Sequence, residues 1–122
     1  MELHGKKILV AGSGISGIGA VKLLSKLGAD IILYDENKKI KKKEIQNKLP
    51  QNIHVEIMIG KLTKEIIEHV ELMIISPGIP LDSPFVNDIR EQGILIWGEI
   101  ELAYECSKGK LIGITGTNGK TT

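Results

Sequence analysis

The chain has 122 residues, 42% of them apolar and 25% charged, and a formal net charge of +1. That is the size and composition of one soluble globular domain, and a charge so near zero offers no field for gripping nucleic acid. An aromatic content of 3% leaves no platforms for stacking bases, a single cysteine (Cys106) excludes an internal disulfide or a cysteine-rich zinc site, and no apolar run approaches the ~20 residues of a membrane span.

In chain order, Lys6 and Lys7 lead directly into a short apolar run, so no signal peptide is expected and the cytoplasm is the expected compartment. Ile8-Leu9-Val10-Ala11 reads as a buried strand and is followed at once by glycines. Val21, Leu23, Leu24 and Leu27 then recur at helical spacing, and Gly28 ends that helix. Ile31-Ile32-Leu33-Tyr34 is a second strand. Residues 36–49 sketch a weak helix through Ile40, Ile45 and Leu49, closed by Pro50. Its lysines (Lys38, Lys39, Lys41, Lys42, Lys43) read as a solvated helix start or loop, because no aromatics are interleaved with them. Residues 55–59 form a third strand, Leu62 to His69 a short helix with Ile66 and Ile67 buried, and Leu72–Ile75 a fourth strand stopped by Ser76-Pro77-Gly78. Phe85, Val86 and Ile89 mark a helix ended by Gly93, and Ile94–Trp97 is a fifth strand. Strands alternating with helices of this length predict an α/β, Rossmann-like, doubly wound parallel sheet of five strands with helices on both faces. After Trp97 the pattern resets: residues 99–107 read as a helix and Leu111–Ile114 as a sixth strand.

Gly12-Ser13-Gly14-Ile15-Ser16-Gly17 is a G-x-G-x-x-G run placed between a strand and a helix, the context in which such a run binds a diphosphate. Gly12 permits the tight turn, Gly14 lets phosphate approach the backbone, and Gly17 lets the helix pack on the sheet. The helix start supplies unpaired N–H groups and the positive end of a dipole, and Ser16 adds a hydroxyl. Asp35, at the end of the second strand, is placed to meet a ribose hydroxyl or a base N–H. This loop does not choose its nucleotide: NAD, FAD and the diphosphate of a nucleotide sugar all suit it, and an NAD-sensing regulatory module remains an alternative. Glu99 and Glu101 alternate with apolar residues, as acidic residues in a first helical turn do, although a catalytic carboxylate pair is conceivable. His4, His54 and His69 show no metal-ligand spacing.

A second glycine loop, Gly113-Ile114-Thr115-Gly116-Thr117-Asn118-Gly119-Lys120-Thr121-Thr122, follows the sixth strand. It is a shortened P-loop in which backbone N–H groups wrap phosphates, Lys120 supplies positive charge, and Thr121 offers an oxygen to Mg²⁺. This run resembles the ATP loop of the Mur ligases, the cytoplasmic enzymes that build the peptidoglycan stem peptide. Three further segments extend the likeness over essentially the whole chain: Gly5 to Gly17, Ser76-Pro77-Gly78-Ile79-Pro80, and Gly93-Ile94 continuing to Gly98-Glu99-Ile100-Glu101-Leu102. Within the family, the likeness is to the branch that adds D-glutamate; another Mur ligase is the nearby alternative.

The resemblance implies a division of the chain into a Rossmann-like UDP-substrate-binding domain, residues 1–97, and the opening of a central ATP-binding domain, residues 98–122. It implies that Gly12, Gly14, Ile15, Ser16 and Gly17 face the diphosphate of UDP-N-acetylmuramoyl-L-alanine. Asp35, Glu36 and Asn37 would face the uridine, with Glu36 and Asn37 standing where the family often has Thr or a basic residue. Ser76, Pro77 and Gly78 would border the same ligand. It implies an ATP site at Gly116, Thr117, Asn118, Gly119, Lys120, Thr121 and Thr122, with Lys120 and Thr121 catalytic and Thr121 on Mg²⁺. In the family, ATP phosphorylates the alanyl carboxylate and the amine of D-glutamate attacks the acyl phosphate. The expectation is an N-terminal fragment of such a ligase, a monomer that binds the UDP part of the substrate without a cofactor and is inactive alone, with ATP, Mg²⁺ and D-glutamate engaged through domains beyond it. No nucleic-acid or membrane partner is expected.

Overall fold

A computed structural model describes residues 3–107. Five strands, β1 (Lys7–Ala11), β2 (Asp30–Asp35), β3 (Glu56–Ile59), β4 (Leu72–Ile75) and β5 (Leu95–Trp97), form one sheet in the order β3-β2-β1-β4-β5. Every pairing is parallel. The helices are α1 (Ile15–Lys26), α2 (Lys42–Lys48), α3 (Lys64–His69), α4 (Pro84–Glu91) and α5 (Glu99–Ser107). Among the described residues, no helix is long and apolar enough to cross a membrane.

A parallel strand covered on both faces has no solvent side, so its sequence is a continuous apolar run rather than an alternation. Ile8, Leu9, Val10 and Ala11 are at most 1% exposed. Successive side chains go to opposite faces. Ile8, Val10, Ile31, Leu33, Leu72 and Ile74 join Val21 and Leu24 of α1, Ile45 of α2 and Leu102 of α5 in one core. Leu9, Ala11, Ile32, Tyr34, Met73 and Ile75 join Ile67 of α3 and Phe85, Val86 and Ile89 of α4 in the other. Burial of each large aliphatic side chain stabilises the fold by about 1.5–3 kcal/mol.

The helix ends follow local chemistry. After α1, Gly28 takes φ +79°. That conformation lets Gly28 N donate to Ser25 O and Ala29 N donate to Leu24 O, which satisfies carbonyls at the helix end. Thr63 caps α3 by accepting from Ile66 N at 3.3 Å. Glu101 turns back to accept from Gly98 N at 2.9 Å, one half of a capping box at the start of α5.

Two expectations shift. The weak helix over 36–49 contracts to Lys42–Lys48. Asp35 accepts from Asn37 N at 2.8 Å and Asn37 accepts from Lys39 N at 3.0 Å, and these side-chain bonds hold the backbone in turns instead of a helix. In α3 only Ile67 is buried, while Ile66 remains partly exposed. The helix 99–107 appears as expected, and its Leu102, 2% exposed, is part of the first core. The sixth strand and the second glycine loop lie outside the described residues.

Candidate functional site at the strand order switch

β1 and β4 are neighbours, with Ala11 beside Ile75. Their helices leave to opposite faces, α1 over the first core and α4 over the second. The divergence opens a crevice at the carboxyl ends of the two strands, where open α/β sheets bind ligands. Residues 12–14 form one wall and residues 76–80 the other.

The three glycines of the first loop have separate roles. Gly12 takes φ +102°, and a Cβ there would lie 2.6 Å from Ser76 Oγ. Ser76 occupies that space because its hydroxyl donates to Ala11 O at 3.0 Å. A Cβ on Gly17 would lie 1.7 Å from Gly12 O, so the first turn of α1 sits on the loop only if residue 17 has no side chain. A Cβ on Gly14 would meet nothing within 4 Å. Gly12 and Gly17 are therefore explained by the protein's own packing. Gly14 is not, and it leaves the approach to the backbone open. The same holds for Gly78 on the opposite wall, where a Cβ would also meet nothing.

At the amino end of α1, the first intrahelical bond runs from Ile18 N to Gly14 O at 3.0 Å. The amides of Ile15, Ser16 and Gly17 have no protein acceptor among the described residues, and no side chain caps this helix. Its first turn contains no acidic residue. Three donors and the positive end of the helix dipole thus face the crevice, an arrangement suited to an anion. Ile15 beside them is 95% exposed.

Asp35 also has partners within the protein that its position in the sequence does not announce. Its Oδ2 accepts from Ser13 N at 3.0 Å and from Ser13 Oγ, and its Oδ1 accepts from Asn37 N. Ser13 is 2% exposed, so this carboxylate satisfies a buried hydroxyl and fastens the glycine loop to the end of β2. The parallel register that sets Ala11 beside Tyr34 brings the two residues together. A carboxylate oxygen accepts about two hydrogen bonds. Oδ2 is saturated by Ser13, and Oδ1 keeps one free position toward the rim, where Glu36 and Asn37 are exposed. Beneath them, Tyr34 donates to Gly60 O at 2.6 Å and packs edge-on against Phe85 at 5.1 Å. Burial, then the charges of Glu36 and Asp35, push its phenol pKa up, so the hydroxyl stays protonated as a donor.

Two residues have contacts that the sequence does not announce. Ser13 is signalled only by its place between two glycines after a buried strand. Glu99 reaches from α5 to accept from Ser16 Oγ at 3.2 Å. Glu99 and Glu101 do not act as a pair, since Glu101 is turned back to Gly98. The lysines at 38, 39 and 41–43 are exposed, as are His4, His54 and His69. Lys120, Thr121 and the rest of the expected ATP loop, Gly116–Thr122, lie outside the described residues. A groove of about 550 Å³ between α3 and α4 carries Lys61 and Lys64 beside Asp88 and Glu91, a lining of mixed charge.

Known proteins resemble this chain at two levels. In structure it is similar to the dehydroquinate dehydratase and shikimate dehydrogenase protein of S. pombe, with a TM-score of 0.55 and 14% identity over 95% of this chain and 28% of that one. It is also similar to shikimate dehydrogenase of Aquifex aeolicus, with a TM-score of 0.53 and 17% identity over 91% of this chain and 49% of that one. At such identities the likeness shows the Rossmann-like fold alone. In sequence it is 54% identical over all 122 residues to the UDP-N-acetylmuramoylalanine–D-glutamate ligase of Lachnospira eligens. It is 48% identical over the same length to the ligase of that name from Lachnoclostridium phytofermentans. The chain spans 27% of the length of each of these relatives. The model of the Mur ligase MurD-like N-terminal domain matches residues 6–98, which contain all five strands and the crevice between them, and the chain belongs to that family.

Proposed function

We propose that this chain is the nucleotide-binding region of a UDP-N-acetylmuramoylalanine–D-glutamate ligase and that the crevice holds the UDP of its substrate. The open approach over Gly14 to the unpaired amides of Ile15, Ser16 and Gly17 is the observation that carries this reading. Those amides and the Ser16 hydroxyl donate to the diphosphate, Gly12 shapes the turn, and Ser76, Pro77 and Gly78 form the facing wall. Asp35 holds the loop in place through Ser13 and uses its remaining acceptor position for one donor of the base, with Glu36 and Asn37 beside it. One free acceptor suits a single base N–H better than the two adjacent hydroxyls of a ribose, and this favours uridine over the NAD alternative.

In the whole ligase, ATP and Mg²⁺ would be held through Gly116–Thr122, with Lys120 and Thr121 at the transferring phosphate, and D-glutamate would be the acceptor. The division at residues 97 and 98, a cytoplasmic location and a monomeric state belong to the same proposal. The test is a titration of UDP, UDP-N-acetylmuramoyl-L-alanine and NADH into the chain, followed by Trp97 fluorescence and thermal shift. Binding of both uridine nucleotides with little response to NADH is expected; preference for NADH would overturn the reading.

A further inference from the structure

The contact between Ser16 and Glu99 places a carboxylate at the amino end of α1, where the proposed reading puts a diphosphate. α1 has no acidic residue in its own first turn and no side-chain cap. The acidic partner comes instead from a different helix, as Ser16 Oγ donates to Glu99 Oε2 at 3.2 Å. The reach of Glu99 is set by its surroundings. The Gly98–Glu101 bond fixes the first turn of α5, and buried Leu102 anchors that helix in the core under α1. Glu99 itself is exposed and forms no part of that core.

A serine hydroxyl has one proton to donate. It serves either the Glu99 carboxylate or a phosphate oxygen, and two anions at one helix terminus repel each other. We propose that Glu99 is a built-in competitor of the nucleotide: it occupies the Ser16 hydroxyl in the empty protein and must swing away when a diphosphate binds. This rests on the assignment of UDP to the crevice. It adds that affinity is held down by the chain itself, and that nucleotide binding unties the first turn of α5 from α1.

The experiment is isothermal titration of UDP into the 122-residue chain and three variants. Glu99→Gln keeps the size of the side chain and removes its charge, and it should bind UDP about three- to tenfold more tightly. Glu99→Asp withdraws the carboxylate by one methylene and should gain less in the same direction. Glu101→Gln removes a charge from the same helix turn while Gln still accepts from Gly98 N, so its affinity should match the parent chain. Unchanged or weaker binding by Glu99→Gln, or an equal gain in Glu101→Gln, overturns the competitor role while leaving the UDP site standing. Absence of UDP binding in the parent chain and in every variant overturns the site assignment itself.

Discussion

Helices α1 and α4 both follow strands at the centre of the sheet and border the same crevice, yet they meet it with different chemistry. α1 begins directly after the glycine loop, uncapped, with three amides lacking protein acceptors. α4 is set off by residues 76–83, which bond among themselves: Ile79 N donates to Ser76 O, and Ser83 donates to Pro80 O through both its amide and its hydroxyl. Arg90 adds a bond to Leu81 O, and Pro84 removes a donor from the first turn of α4. Both helices lack a side-chain cap, but α4 opens on a proline and stands behind a long, internally bonded loop, so the short connection brings unpaired amides to the crevice and the long one a stiff wall. A parallel sheet therefore makes its crevice from two similar strand ends, while loop length and side-chain composition decide what each end presents to it.

The firmest way to break this contrast is Gly17→Ala. The new Cβ would lie 1.7 Å from Gly12 O, so α1 must lift off its loop. A loss of about 3 kcal/mol in urea unfolding is expected. Asp35→Ala comes next. It leaves the buried Ser13 hydroxyl without its acceptor and should lower stability by about 2 kcal/mol, with UDP binding weakened because the loop is no longer fastened. Gly14→Val separates site from scaffold. Its Cβ has open space and its backbone is extended, so stability should change by less than about 0.5 kcal/mol. UDP affinity measured by calorimetry should nonetheless fall at least about tenfold, since the side chain fills the phosphate approach. A stable Gly17→Ala or a UDP-competent Gly14→Val would show that the two glycines had been assigned the wrong roles.

The smallest effect lies at the opposite, amino-terminal ends of β1 and β4. Glu71 accepts from Lys7 N at 3.0 Å, and this bond, helped by Lys6 nearby, lowers its pKa below the ordinary 4.5. The folded pKa is depressed, so the contribution to stability is fully present above pH 4.5 and fades as pH falls through the lower folded value. Glu71→Gln should flatten that acid limb of the unfolding curve slightly and leave UDP affinity unchanged. A change in UDP binding would mean that the two ends of the central strands are not independent.

Much of this was legible from residue patterns. The strands at 8–11, 31–34 and 72–75 are short aliphatic runs bounded by glycine or turn residues and separated by helical stretches, which is the pattern of buried parallel strands. The glycine loop was legible because its spacing and its place between a strand and a helix leave few other uses. The turn after Asp35 was not, because Asp and Asn bond their own backbone in competition with the helix that Ile40, Ile45 and Leu49 suggest.

The apolar pattern by itself determined an α/β chain with five parallel strands, since burial on two faces demands continuous apolar runs, and the glycine spacing marked the loop after the first strand as a candidate phosphate site. Only the tertiary structure decided what the polar residues do. Asp35 fastens Ser13 because β2 lies in register beside β1, and Glu99 reaches Ser16 because α5 and α1 cover the same face. A hydrogen bond depends on positions matched to within a few tenths of an ångström, and residues far apart in sequence acquire that match only when the sheet and its helices are packed.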